Sequence, residues 1–152
     1  MSSDIFKIAP TFYGITMVPE SSQREYGYAL LTIAGSDGEV SEPELEWLTM
    51  ECAKAADVDD DIIADWEEYD FEEGDLEEIF HDFNTKSFAN FNKLLIYDAI
   101  RMSSADGEYA SDERDQVNHA AQILKVPMET VMAIEALVDL EHAANKLRLT
   151  LL

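Results

Sequence analysis

The chain is 152 residues long, 47% hydrophobic, with 33 acidic against 10 basic side chains and a formal net charge of −23. That length suits one domain with a real core, and the apolar content does not fit a disordered acidic tail. The charge argues against nucleic-acid binding, which needs clustered Lys and Arg facing phosphates, and against docking on an anionic membrane. It is compatible with cations, basic protein partners or solubility.

The single Cys52 cannot form an internal disulfide, so nothing points to an oxidising compartment. No basic segment followed by an unbroken apolar run opens the chain, and no stretch is long enough to span a bilayer. A soluble cytoplasmic protein is expected.

Residues 1–20 carry Ile5, Phe6, Ile8, Phe12, Tyr13, Ile15, Met17 and Val18, interrupted by Pro10, Gly14 and Pro19. The breakers argue against one long helix and leave an arm packing on the core, or a self-association surface. The helical domain then occupies residues 21–152. Its first helix runs from residue 21 or 22 to 36, with Ser22 as cap and Tyr26, Leu30 and Ile33 on one face. Asp37-Gly38 stops it. A second helix starts at Ser41, with Glu44 in the capping-box position and Leu45, Leu48, Cys52 and Ala56 at helical spacing.

Between Lys54 and Lys86 there is neither Lys nor Arg, yet Ile62, Trp66 and Tyr69 keep helical spacing. After a break at Glu73-Gly74, Asp75 caps a short helix carrying Leu76, Ile79, Phe80 and Phe83. The apolar stripes predict folded helices with a heavily charged outer face. The most apolar helix follows, from residue 86 or 87 to 104, and is expected to be central. Another runs from residue 111 or 112 to 125. Val126-Pro127 breaks the chain, and a last helix extends to about residue 149 with Ile134, Leu137, Leu140, Ala144, Leu147 and Leu151 on one face. No period-2 pattern appears, so the expected fold is all-α, a single-domain bundle of about seven helices.

Within it, one pattern occurs twice. Ser36-Asp37-Gly38-Glu39-Val40-Ser41-Glu42-Pro43-Glu44 is echoed by Ala105-Asp106-Gly107-Glu108-Tyr109-Ala110-Ser111-Asp112-Glu113, and Asp37 to Asp106 and Glu44 to Glu113 are both 69 residues apart. Tyr28 with Tyr97, Leu31 with Ile100 and Ile33 with Met102 keep the same register. The repeat implies two pseudo-symmetric helix–acidic loop–helix units.

Each loop matches the second half of an EF-hand. Asp37 falls at loop position 5, Gly38 at the turn, the Glu39 carbonyl at 7 and Glu44 at the bidentate position 12. The first half is missing, because Ile33 and Gly35, or Met102 and Ser104, stand where ligands are needed. One half-loop lacks enough carboxylates for Ca²⁺, but packing the two units together would bring Asp37 and Glu44 near Asp106 and Glu113. Such oxygen ligands favour Ca²⁺, Mg²⁺ or Mn²⁺ over Zn²⁺ or copper. The plainer reading is an Asp-Gly turn followed by a Ser-x-x-Glu capping box. Glu113, with Ala110 in the cap position, lacks a clean box, which makes Asp106 and Glu113 the more diagnostic pair.

These paired segments, Ile33-Ala34-Gly35-Ser36-Asp37-Gly38-Glu39 with Glu44 and Met102-Ser103-Ser104-Ala105-Asp106-Gly107-Glu108 with Glu113, resemble the tellurite-resistance TerB-like family over about residues 26–149. The resemblance implies an all-helical cytoplasmic bacterial protein with a metal-binding acidic face, tied to stress responses and membrane-associated protein complexes. Carried onto this chain, the metal positions are Asp37, Glu44, Asp106 and Glu113, with Glu39 and Glu108 less secure. The unusually acidic stretch at residues 57–82 departs from the family pattern.

Other constellations are weaker. Glu78-Ile79-Phe80-His81 has the Glu-x-x-His spacing of di-iron bundles but no second copy. Asp115 with His119, and His142, make a poor zinc signal without Cys. No phosphate loop, nucleophile elbow or HExxH is present. The sequence therefore points to a non-catalytic module with no organic cofactor and no membrane insertion. It would bind a divalent cation and other proteins, a homodimer being among the expected assemblies. The alternative is a metal-independent interaction module whose acidic face docks basic partners.

Overall fold

The structure, a computed structural model, describes residues 22–55, 57–81 and 91–152. The N-terminal arm, the start of the most apolar helix and Phe83 lie outside them. Described residues form seven helices and no strand. These are α1 (Gln23–Ala34), the composite α2 (Glu42–Glu46, Trp47–Cys52 and Ala53–Ala55), α3 (Asp60–Glu68), α4 (Leu76–His81), α5 (Phe91–Ser103), α6 (Ser111–Leu124) and α7 (Met128–Leu151).

α1 buries Tyr26, Leu30 and Ile33, the stripe its spacing predicts, together with Ala29 and Ala34 between them. Each large apolar side chain removed from water contributes about 2 kcal/mol. Ser22 is the N-cap residue, but its side chain makes no capping hydrogen bond, contrary to the sequence reading; its backbone stays in the helical region rather than the extended one that aims a cap. α1 ends in a short 3₁₀ turn, Gly35–Asp37, closed by Gly38 at φ 101°.

α2 starts as an ordinary helix and widens into π geometry over Trp47–Cys52. The wider turn puts residues five apart on one side, so Trp47 and Cys52 are both buried beside Leu48. The helical spacing of Leu45, Leu48 and Cys52 could not show this. α3 and α4 cover α1. Gly27 is what lets α3 approach: a Cβ there would stand 2.0 Å from the Trp66 indole. Trp66 is buried and its Nε1 donates to the Arg24 carbonyl at 3.1 Å. The Asp75 side chain accepts from the Glu77 backbone N–H at 3.0 Å, capping α4 as expected.

α5 is the hub. Leu94 to Ile100 are buried without interruption, and α5 packs on α1, α2, α6 and α7. On α7 the predicted stripe reaches the core at Ile134, which packs there half-buried. The helix's buried residues are Val131 and Val138, whereas Leu137, Leu140, Leu147 and Leu151 are exposed. No helix among the described residues is long and apolar enough to cross a membrane.

Candidate functional site: a buried carboxyl pair between two repeated loops

The repeat seen in the sequence is a repeat in space. α1 packs on α5, the turn at Gly35–Asp37 lies on α6, and α2 lies on α5, so each unit leans on the other crosswise. Both loops turn on a glycine with positive φ, 101° at Gly38 and 90° at Gly107. In both, the Asp side chain folds back onto the chain. Asp37 Oδ1 accepts from the Glu39 N–H at 3.1 Å and Asp106 Oδ1 from the Glu108 N–H at 2.9 Å. These Asx turns fix the loop for entry into the following helix.

Glu44 and Glu113 then enter the core, each only 1% exposed. Glu44 Oε1 accepts the Ser41 N–H at 2.8 Å, and Ser41 Oγ accepts the Glu44 N–H at 3.3 Å, completing a capping box. Glu113 Oε1 accepts the Ala110 N–H at 2.9 Å. The Ala110 side chain has no oxygen to return the bond, so Glu113 performs half of a capping box.

The two carboxyls meet each other. Burial pushes Glu113 up to about 9, helped by its hydrogen bond to Glu44 and by the nearby charges of Glu44 and Asp37. Burial also raises Glu44, against the lowering effect of the Glu113 and Ser41 hydrogen bonds, and Asp106 raises it further. None of the groups acting most on either carboxyl is a Lys, Arg or His. Two carboxylates in contact cannot both stay ionised, so the pair shares a proton at neutral pH, with Glu113 as the donor. Glu113 Oε2 is buried and has no hydrogen-bond partner.

Of the six positions singled out from sequence, Glu44 and Glu113 are brought together. Asp37 and Asp106 lie at the rim, each acting on the other loop's glutamate, while Glu39 and Glu108 are exposed. Among the described residues no three His, Cys, Asp or Glu side chains converge as a ready ligand set for a metal. The donors nonetheless fit a hard cation in kind: all are oxygens, one buried oxygen lacks a donor, and none of the groups acting most on the pair is a cationic side chain. Glu78, His81, Asp115 and His119 are exposed, as expected for surface residues.

A second buried carboxylate escaped the sequence reading. Asp98 is 1% exposed, accepts from the Tyr26 hydroxyl at 2.5 Å and lies 3.7 Å from Arg101. The Arg101 guanidinium stacks on Trp47 and Tyr97, 5.2 and 5.0 Å from the ring centroids. The cluster ties α1, α2 and α5 together. Its signal was available: Asp98 interrupts an otherwise apolar run from Leu94 to Ile100.

No curated protein matches the chain significantly. A crystal structure of a tellurite resistance protein from Nostoc punctiforme is similar, with a TM-score of 0.78 and 29% identity, over 99% of this chain and 95% of that one. The sequence model described as "Tellurite resistance protein TerB" matches residues 29–136, which hold both loops and both glutamates. With its helical bundle and its paired acidic loops, the chain belongs to the TerB family.

Proposed function

We propose that this protein is a non-catalytic tellurite-resistance module that takes a divalent cation, Ca²⁺, Mg²⁺ or Mn²⁺, between its two acidic loops. One observation carries the reading: two symmetry-related glutamates from separate units are buried in contact with no cationic side chain prominent among the groups acting on them. A purely capping role needs one carboxylate oxygen per helix start and gives no reason to bury the two against each other. Glu44 and Glu113 would hold the ion, with Asp37 and Asp106 reaching in from the rim and Glu39 and Glu108 adding charge outside. The ion would supply the positive charge that the shared proton now supplies.

The test is thermal unfolding after EDTA treatment, then with Ca²⁺, Mg²⁺, Mn²⁺ and Zn²⁺ added separately beside a monovalent salt control. The control is needed because any cation screens a net charge of −23. A saturable, ion-selective rise, lost in Asp106→Ala with Glu113→Ala, is the expected result. An equal, weak rise for every divalent ion would refute the reading.

A second reading has its own observation. Asp60, Asp61, Glu67 and Glu68 are all exposed on α3, an acidic face suited to a basic protein partner, such as a member of a membrane-associated stress complex. It requires a strongly salt-dependent complex that weakens when these four are neutralised and ignores changes in the loops.

A further inference from the structure

α7 is apolar on two sides. Its inward side holds Val131 and Val138. On the opposite side Met132, Ala136, Leu140, Ala143, Leu147 and Leu151 follow one another at spacings of four, four, three, four and four residues, the repeat of a helix-pairing seam. All six are exposed, Met132 at 61%, Leu140 at 68%, Leu147 at 60% and Leu151 at 75%. The helix has 24 residues, about 36 Å at 1.5 Å per residue. So long an exposed apolar stripe marks an interaction surface.

Charge along the same helix says what fits there. Residues 128–141 contain Glu129, Glu135, Asp139 and Glu141 and no Lys or Arg; residues 142–152 contain Lys146 and Arg148 and no Asp or Glu. The helix is therefore acidic in its first half and basic in its second. Elsewhere the chain is so acidic that two copies repel, and a parallel pairing of α7 would set acid on acid. An antiparallel pairing sets each acidic half on the other's basic half. Asp139 and Lys146 lie seven residues apart on the same flank of the stripe, so two-fold antiparallel pairing places each opposite the other's counterpart, twice. Neither joins an ion pair among the described residues.

We propose that two copies of this chain associate through an antiparallel α7–α7 contact, with the Met132–Leu151 stripe as its seam and the Asp139–Lys146 pairs as its orientation lock. The exposed seam costs the monomer nothing to alter, so Leu140→Glu with Leu147→Glu is a clean test, with circular dichroism and melting checking that the fold is kept. Sedimentation equilibrium from micromolar to millimolar concentration should find the wild type as a dimer and the double variant at monomer mass. Asp139→Lys or Lys146→Asp alone should each weaken the dimer ~tenfold by setting like charges face to face, and the combined swap should restore it. A monomeric wild type would overturn the proposal, in favour of the stripe being covered by the chain's own first residues or by another protein. So would a dimer indifferent to the leucine changes, or one in which the charge swap gives no recovery.

Discussion

The two units are built alike but covered differently. The first is covered by α3 and α4, which bury Ile62, Trp66, Leu76, Ile79 and Phe80 against it. The second is covered by α7, which buries Val131 and Val138, packs the half-buried Ile134 on the core and adds polar contacts. Tyr97 donates to Glu141 at 2.5 Å, His142 Nε2 lies 3.1 Å from Ser104 Oγ, and Arg114 lies 3.7 Å from Glu135. Even the matched tyrosines show it: Tyr28 stacks on Tyr69 with centroids 4.1 Å apart, whereas its counterpart Tyr97 meets a carboxylate. A duplicated framework thus keeps its loops and differs in what it carries on its back. The first cover secures the fold, and the second spends its apolar surface facing outward.

The largest effect should come from breaking the first cover. Trp66→Ala removes a fully buried indole and should cost about 4 kcal/mol in urea unfolding, while Val138→Ala under the second cover should cost about 2 kcal/mol. Equal losses would erase the asymmetry. Gly27→Ala should cost about 2 kcal/mol and alter Trp66 fluorescence, because the added methyl must displace the indole. The matching position in the second unit is Ile96, which is fully buried against α5's neighbours and needs no such gap.

The carboxyl pair should make stability depend on pH. Glu113 ionises near 4.5 when unfolded and near 9 in the fold, so the folded state holds its proton more tightly. That stabilisation is complete below pH 4.5 and is lost as pH rises through 9. The melting temperature should fall by several degrees between pH 6 and pH 9, and Glu113→Gln should flatten the fall. A variant with the wild-type slope would mean that the pair does not share a proton. The smallest effect tests the capping difference between the loops. Ser41→Ala should cost about 1 kcal/mol by making the first loop like the second, and Ala110→Ser should return a similar amount by completing the second box.

Most of the helix order was legible because apolar spacing, Asp-Gly turns and capping residues all act locally. The pairing of Glu44 with Glu113 was legible only as a consequence of the repeat, since packing two pseudo-symmetric units together brings matching positions of their loops near each other. What the sequence could not resolve were choices made by neighbours. The spacing put six apolar residues of α7 on one face without fixing which side turns inward, because the helix has two apolar sides and its partners in α5 and α6 select Val131 and Val138. The burial of Asp98 likewise depends on a neighbour, the Tyr26 hydroxyl arriving from α1. The ring of six acidic candidates narrowed to two buried and two flanking residues because depth, unlike charge, is not written in residue type.

The glycines that turn both loops have a consequence for handedness. A Cβ at Gly38 or Gly107 would meet no atom within 4 Å, so space is no obstacle there. The obstacle is chirality, since the backbone sits where an L side chain collides with its own chain. The mirror-image residue has the opposite preference. A chemically assembled chain with D-alanine at both positions should fold more stably than the natural one, because each D residue forbids conformations of the unfolded loop that glycine leaves open.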